Sequence, residues 1–461
     1  WASDIDQPNV DTMHALIDGG LNLLHNHVFQ FDFLNDILTL EEENAENEKR
    51  AKLKLPLVER KLPLELKKII DDPEKRRKLI VYINPPYAEA AKYFAGNNKA
   101  QVTAAHKTSE TYKQTLGRGI NELFANFFVR IYHELQGVKL ASFSTLKYIN
   151  SQNFAKFREY FKAEYNGGFI CCADTFDNVK GKFPIGFLIW NLQNKKPISD
   201  ITVDVYETDQ NRPLRKGRKT IYPIPEKTYI VDWLRNYFDK SGERIGYLRF
   251  QGTDFQTNAH AFITSRPTAN DIRESKITNI TKNNIIEISI YLAVRQCIEH
   301  TWINDRDQFL YPNDAYKTDA EFQHDCLVFT LFHGQNRISS RHGMNHWIPF
   351  TEKAVAAKEK FESNFMSSFL KGKAFSPEAQ EVLSAGKALW KYFHKNSNAV
   401  SVNASFYDIR EFFQGRKESG AMNIKSADED YTVLLKALRD ALKALARKIE
   451  PKVYAYGFLK E

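Results

Sequence analysis

The sequence predicts an α/β fold: an open sheet that presents its ligands at the carboxyl edge, followed by a mixed, largely helical second region. Three observations carry this. Short apolar runs at 79–83, 139–144, 168–173 and 185–190 read as strands, the first three separated by helix-compatible stretches. Polar residues, Asp4 and Asn84, stand at the ends of strand-like runs, where open α/β sheets hold ligands. The last third carries helix signals. Ser376-Pro377 reads as an N-cap with proline at the first helical position, and 426–429 as a capping box. A stripe of Leu434, Leu438, Leu442 and Leu445 follows that box, stopped at Pro451. A linker over 194–197 divides the chain into regions 1–195 and 196–461.

Taken in order, residues 1–6 read as the tail of a strand with an acidic end, and Pro8 sits where a helix begins. A carboxylate there, Asp4 or Asp6, suits ribose hydroxyls, while Asp6 also suits a helix N-cap. Asp32-Phe33-Leu34 follows a third short run. Residues 39–78 are charge-dense and read as a solvated helical insertion. The strand at 79–83 reads as buried and leads into Asn84-Pro85-Pro86-Tyr87. Each proline fixes φ and lacks an N–H, so this rim is stiff and its carbonyls point outward. Asn84 adds an amide oxygen and Tyr87 a flat aromatic face. Two acceptors and a stacking surface suit a planar ring that carries an exocyclic NH2. Residues 97–119 then read as a loop beside the site, 123–132 as an aromatic helix and 153–161 as another helix.

A strand followed by Asn84-Pro85-Pro86-Tyr87 resembles the catalytic motif of S-adenosylmethionine-dependent amino-methyltransferases, above all the adenine-N6 DNA methyltransferases of bacterial restriction–modification systems. The order of acidic strand end, Asp-Phe-Leu and Asn-Pro-Pro-Tyr is similar to that family over 1–195. The resemblance implies a Rossmann-like methyltransferase domain with S-adenosylmethionine as cofactor, then a target-recognition domain. Asp4, with Asp6 a close second, would take the ribose; Asp32 would accept from the cofactor's adenine amino group and Phe33 would lie against its ring. Asn84, Pro85, Pro86 and Tyr87 would be catalytic, and Phe176, or else Phe183, would stack on a flipped base opposite Tyr87. The family's Phe-x-Gly-x-Gly turn is absent; it is expected just upstream of Trp1, in a chain whose start is missing. Implied partners are double-stranded DNA and a cognate restriction endonuclease, as a separate chain or a fused domain. Protein-glutamine and RNA amino-methyltransferases, and a non-catalytic DNA specificity subunit on the same fold, stay open as alternatives.

In the second region the densest basic run, with Arg212, Arg215, Lys216, Arg218 and Lys219, reads as a loop that grips phosphates. Residues 335–347 read as a flexible polar stretch in which Asn336, Arg337 and Arg341 are of the types that read base edges. His342 and His346 lack the further ligands a zinc site needs, so no metal is expected.

Composition sets the outer bounds. The chain has 461 residues, enough for two domains, and a net charge of +8 that is compatible with a polyanionic partner. Its four cysteines form no CxxC, which argues against a disulfide framework and for reduced thiols in the cytoplasm. No apolar run reaches about 18 residues and no signal peptide opens the chain, so no membrane is expected.

Overall fold

Contacts divide the chain into two units, Trp1–Glu226 and Lys227–Glu461. The computed structural model describes residues 1–85, 106–176, 179, 181–209, 212–225, 227–397 and 401–460. The first unit runs β1 (Ala2–Asp4), α1 (Gln7–Asp18), β2 (Val28–Gln30), α2 (Leu40–Lys52), α3 (Leu64–Asp71), α4 (Pro73–Arg76), β3 (Ile80–Ile83) and α5 (Lys107–Leu116). It continues with α6 (Leu123–Glu134), β4 (Lys139–Thr145), α7 (Lys147–Asn150), α8 (Ala155–Tyr160), β5 (Glu164–Cys172), β6 (Pro184–Asn191), β7 (Ile201–Asp209) and β8 (Arg212–Ile221). The protein is thus of mixed α/β class.

Six of these strands pair in the order β3-β4-β6-β5-β7-β8. β3 and β4 are parallel, with Ile83 opposite Ser142, while β6 runs antiparallel to both β4 and β5. Ile185 lies opposite Thr145 on one side and Cys171 on the other. That register brings the carboxyl ends of β3, β4 and β5 to a single edge. β1 and β2 form a separate parallel pair, Asp4 opposite Gln30. Gly168 is required inside β5, because a Cβ there would stand 2.3 Å from the Phe187 carbonyl. One side of the sheet meets an aromatic core. Phe128 on α6 packs against Tyr148, Phe157 and Phe161, and Trp190 from β6 donates to the Tyr148 hydroxyl at 2.9 Å. A fully buried phenylalanine such as Phe128 contributes about 1.5–3 kcal/mol.

The second unit contains α9 (Ile230–Arg235), β9 (Arg244–Arg249), β10 (Phe262–Thr264), α10 (Ala269–Arg273), β11 (Ile277–Thr281), α11 (Ile285–Gln296), α12 (Ala320–Phe332) and β12 (Asn336–Arg337). It ends with α13 (Glu352–Val355), α14 (Phe365–Leu370), α15 (Pro377–Asn396), α16 (Phe406–Gln414) and α17 (Glu429–Ala455). A four-stranded sheet, β11-β9-β10-β12, lies with these helices around one continuous apolar core.

Several expectations need correction. The strand at 79–83 is not buried: β3 ends the strand order, leaving Ile80 67% and Tyr82 60% exposed. The expected loop at 97–119 holds α5, because His106 Nδ1 caps it from Ser109 N at 3.0 Å and Tyr112 and Leu116 are buried; residues 97–105 lie outside the described residues. The basic run is strand β8, where Pro213 is tolerated because β8 is an edge strand, and a register shift at Val205/Tyr206 faces Gly217. Residues 196–226 therefore belong to the first unit. Residues 335–347 are ordered by β12 and by burial of Asn336, Asn345 and Trp347. On α17 the cap is Asp428, accepting from Tyr431 N at 2.8 Å, while Ser426 bonds Phe413 O. That helix also passes through Pro451 to Ala455.

Candidate functional site

The single edge where β3, β4 and β5 end is the candidate site. Asn84 and Pro85 continue directly from Ile83; Asn84 is exposed and Pro85 is buried. Pro86 and Tyr87 lie outside the described residues. From β5 the chain makes one 3-10 turn, residues 173–175, and presents Phe176, half-buried, with its ring 5.3 Å from Phe143 at 77°. Ala173 N donates to Phe183 O at 2.9 Å, which closes this connection and sets Phe183, also half-buried, at the start of β6. The sheet register thus brings the Asn84-Pro85 pair and the Phe176 segment to one edge. Tyr82 and Phe187, 6.2 Å apart, continue the aromatic surface along β3 and β6.

The residues expected at a cofactor lie at the ends of β1 and β2. Asp4 Oδ1 accepts from Asp6 N at 2.8 Å and Asn9 Nδ2 at 3.1 Å, while its Oδ2 accepts nothing among the described residues. Asp6 stands at the N-cap position of α1 without a side-chain cap bond. Asp32 spends its oxygens on its own turn: Leu34 N and Asn35 N reach Oδ1, and Asn35 Nδ2 reaches Oδ2 at 2.7 Å. Phe33 stacks on Phe127 of α6, centroids 5.4 Å apart and planes 6° apart. Asp4 thus keeps one carboxylate oxygen without a donor among the described residues, and the Phe33 ring has Phe127 stacked on it and the Arg130 guanidinium 5.4 Å from its centroid.

Arg130 organises this end of the unit, although in the sequence it is only one charge inside an aromatic helix. Only 1% exposed, it donates to Glu134 at 2.9 Å, to Glu42 at 3.0 Å, to Asp36 O at 2.7 Å and to Phe33 O. It thereby ties α6 and α2 to the Asp32–Phe33 turn. Burial raises Glu42, but the Lys107 hydrogen bond, the Leu38 N–H and the Arg130 charge outweigh that and hold its carboxyl below the usual range. For Glu134 burial wins over Arg130 and pushes the carboxyl up. Burial also lowers His106, against the pull of Asp32.

The residues expected on DNA scatter. Arg215, Lys216 and Arg218 are exposed on β8, with Arg215 and Arg218 on Asp204 at 2.7 and 3.4 Å and Lys216 on Glu207 at 3.3 Å. Arg212 and Lys219 share that strand. The other three belong to the second unit. Asn336 does not read bases: it is 4% exposed, bonded to Thr330 O and Ile338 N inside the core. Arg337 lies 3.8 Å over the Phe262 ring and donates to Gln335. Arg341 is exposed and pairs with Glu411 at 3.1 Å. All four cysteines are free and buried. No helix among the described residues is long and apolar enough to cross a membrane. No family model and no curated protein matches the chain.

Proposed function

We propose that the chain transfers a methyl group from S-adenosylmethionine to adenine N6 in double-stranded DNA, in the cytoplasm, as part of a restriction–modification system. One observation carries the reading: Asn84-Pro85 leaves the carboxyl end of a parallel strand, at the sheet edge that also holds the Phe176 segment. Asn84 Oδ1 and the Pro85 carbonyl accept the two N–H bonds of an extruded adenine. That draws the amino nitrogen toward tetrahedral geometry and concentrates its lone pair, a positioning and electrostatic effect that needs no acidic base. Bound cofactor would supply the electrophilic sulfonium methyl, its sulfur leaving as a neutral thioether while the amino nitrogen gives one proton to solvent. Asp4 holds the ribose, and Phe33 lies against the adenine ring. Phe176 supports the flipped base, a contact worth about 1–3 kcal/mol. The basic strand β8 grips phosphates, and the second unit serves target recognition.

The test is Asn84→Ala in a full-length protein with labelled cofactor and duplex DNA. Transfer is lost while DNA binding stays near wild type. Undiminished labelling of adenine by this variant, or labelling only of a glutamine peptide or an RNA by the parent protein, overturns the reading.

A further inference from the structure

A cleft of about 1100 Å³ in the second unit lies outside the site above. The exposed stripe of α17 lines it with Lys436, Arg439, Lys443 and Arg447, opposite Arg410 of α16 and Lys425 of the loop before α17. The spacing of 3, 4 and 4 residues keeps the α17 cations on one face, and Arg439 to Arg447 spans about 12 Å at 1.5 Å per residue. Lys436 is neutralised by Asp440 at 2.7 Å. The other five cations make no ion pair among the described residues and share the cleft with two carboxylates, Glu299 and Glu450. Arg410 is half-buried, and its one hydrogen bond among the described residues is a long one, 3.4 Å, to Gln414 Oε1. Burial and the neighbouring Arg439 charge lower its pKa. The carboxyl ends of α11 and α12 reach the same cleft, and their half-charges offset only part of this excess.

Uncompensated like charges held in a cleft repel one another and focus a positive field on whatever enters. The cleft exceeds the roughly 300–1,000 Å³ of small-molecule pockets, and its cations form a line along a helix. We propose that this cleft is a second DNA contact: it takes a stretch of phosphodiester backbone along α17, independently of base sequence. The inference rests on the DNA reading of the chain and extends it to a surface that reading did not include.

The experiment measures binding of a labelled duplex by fluorescence anisotropy between about 50 and 200 mM salt, the range over which phosphate contacts tell. The exposed cations of Arg439→Gln/Lys443→Gln/Arg447→Gln are removed together. Each phosphate-bound cation lost flattens the log–log salt slope by about one, so the triple variant falls by about three. As a charge-matched control, Lys387→Gln/Lys391→Gln/Lys395→Gln removes an exposed stripe of α15 that does not line the cleft, and its slope moves far less. Wild-type binding with an unchanged slope in the α17 variant, or equal flattening in both variants, overturns the cleft and leaves the DNA reading intact. A wild-type protein that binds no duplex at all overturns both.

Discussion

Among the described residues each unit holds one arginine at 1% exposure or less, Arg130 and Arg295, and the two are satisfied in opposite ways. In the first, Arg130 meets two carboxylates, Glu42 and Glu134, besides the carbonyls of Phe33 and Asp36. In the second, Arg295 has 0% exposure and meets only neutral acceptors: Asn258 Oδ1 at 2.8 Å, the carbonyls of Gly252 and Asp254, and the Thr257 and Tyr291 hydroxyls. A buried ion pair is held by charges that must all stay present, whereas neutral acceptors spread one charge over a rigid shell. The first arrangement anchors a turn that carries candidate ligand residues; the second stiffens the core of the second unit. Polar residues near Arg130 are thus candidates for chemistry, and buried ones such as Asn258 and Asn336 are structural.

The largest effect belongs to Arg130. Arg130→Met leaves Glu42 and Glu134 partly buried without their shared partner, at about 3–5 kcal/mol. Urea unfolding reads this in the first unit, and cofactor affinity falls with it because the Asp32–Phe33 turn is released. Arg295→Met keeps the volume and strands only neutral acceptors, so about 2–3 kcal/mol is lost from the second unit. A larger loss than for Arg130→Met would reverse the ranking of the two solutions.

Next comes a carboxylate with no ion pair among the described residues. Asp325 is 1% exposed and accepts from Ser376 Oγ at 2.9 Å, and burial pushes it up to about 6 from 3.8. A raised acid penalises folding wherever it is ionised, so the penalty grows as pH rises from about 4 to 6 and is full above that. Asp325→Asn keeps the acceptor and raises stability by about 1–2 kcal/mol at pH 7.5, a gain that fades toward pH 4. Melts at several pH values that show a constant gain would put its origin elsewhere.

The smallest effect on stability belongs to the surface of the first unit. Neutralising Arg215, Lys216, Arg218 and Lys219 on β8 leaves the melt unchanged, since exposed pairs contribute little. DNA affinity falls alike for all sequences and its salt slope flattens. A changed sequence preference without lost affinity would show that β8 reads bases.

Much of the local structure was legible from the chain alone. Period and caps gave α6, β4, β5, β6 and α15, and the β-branched run before Asn84 located β3 and its carboxyl end. These follow from residue preferences that act over a few positions. The prominence of β8 as a basic run was equally visible, but its being a strand was not, because Pro213 and Gly217 are permitted only by pairing with β7. Nothing in the sequence of 335–347 distinguished Asn336, buried within β12, from an Asn on a surface loop. Nor did it single out Arg130, which besides Glu134 on its own helix has partners 88 residues and more away in Glu42, Asp36 and Phe33. The sequence by itself determined which residues sit at strand ends and helix faces, since backbone preference is local. Only the tertiary structure decided which polar groups are dry and which edges meet, because burial and strand order depend on segments far apart in the chain.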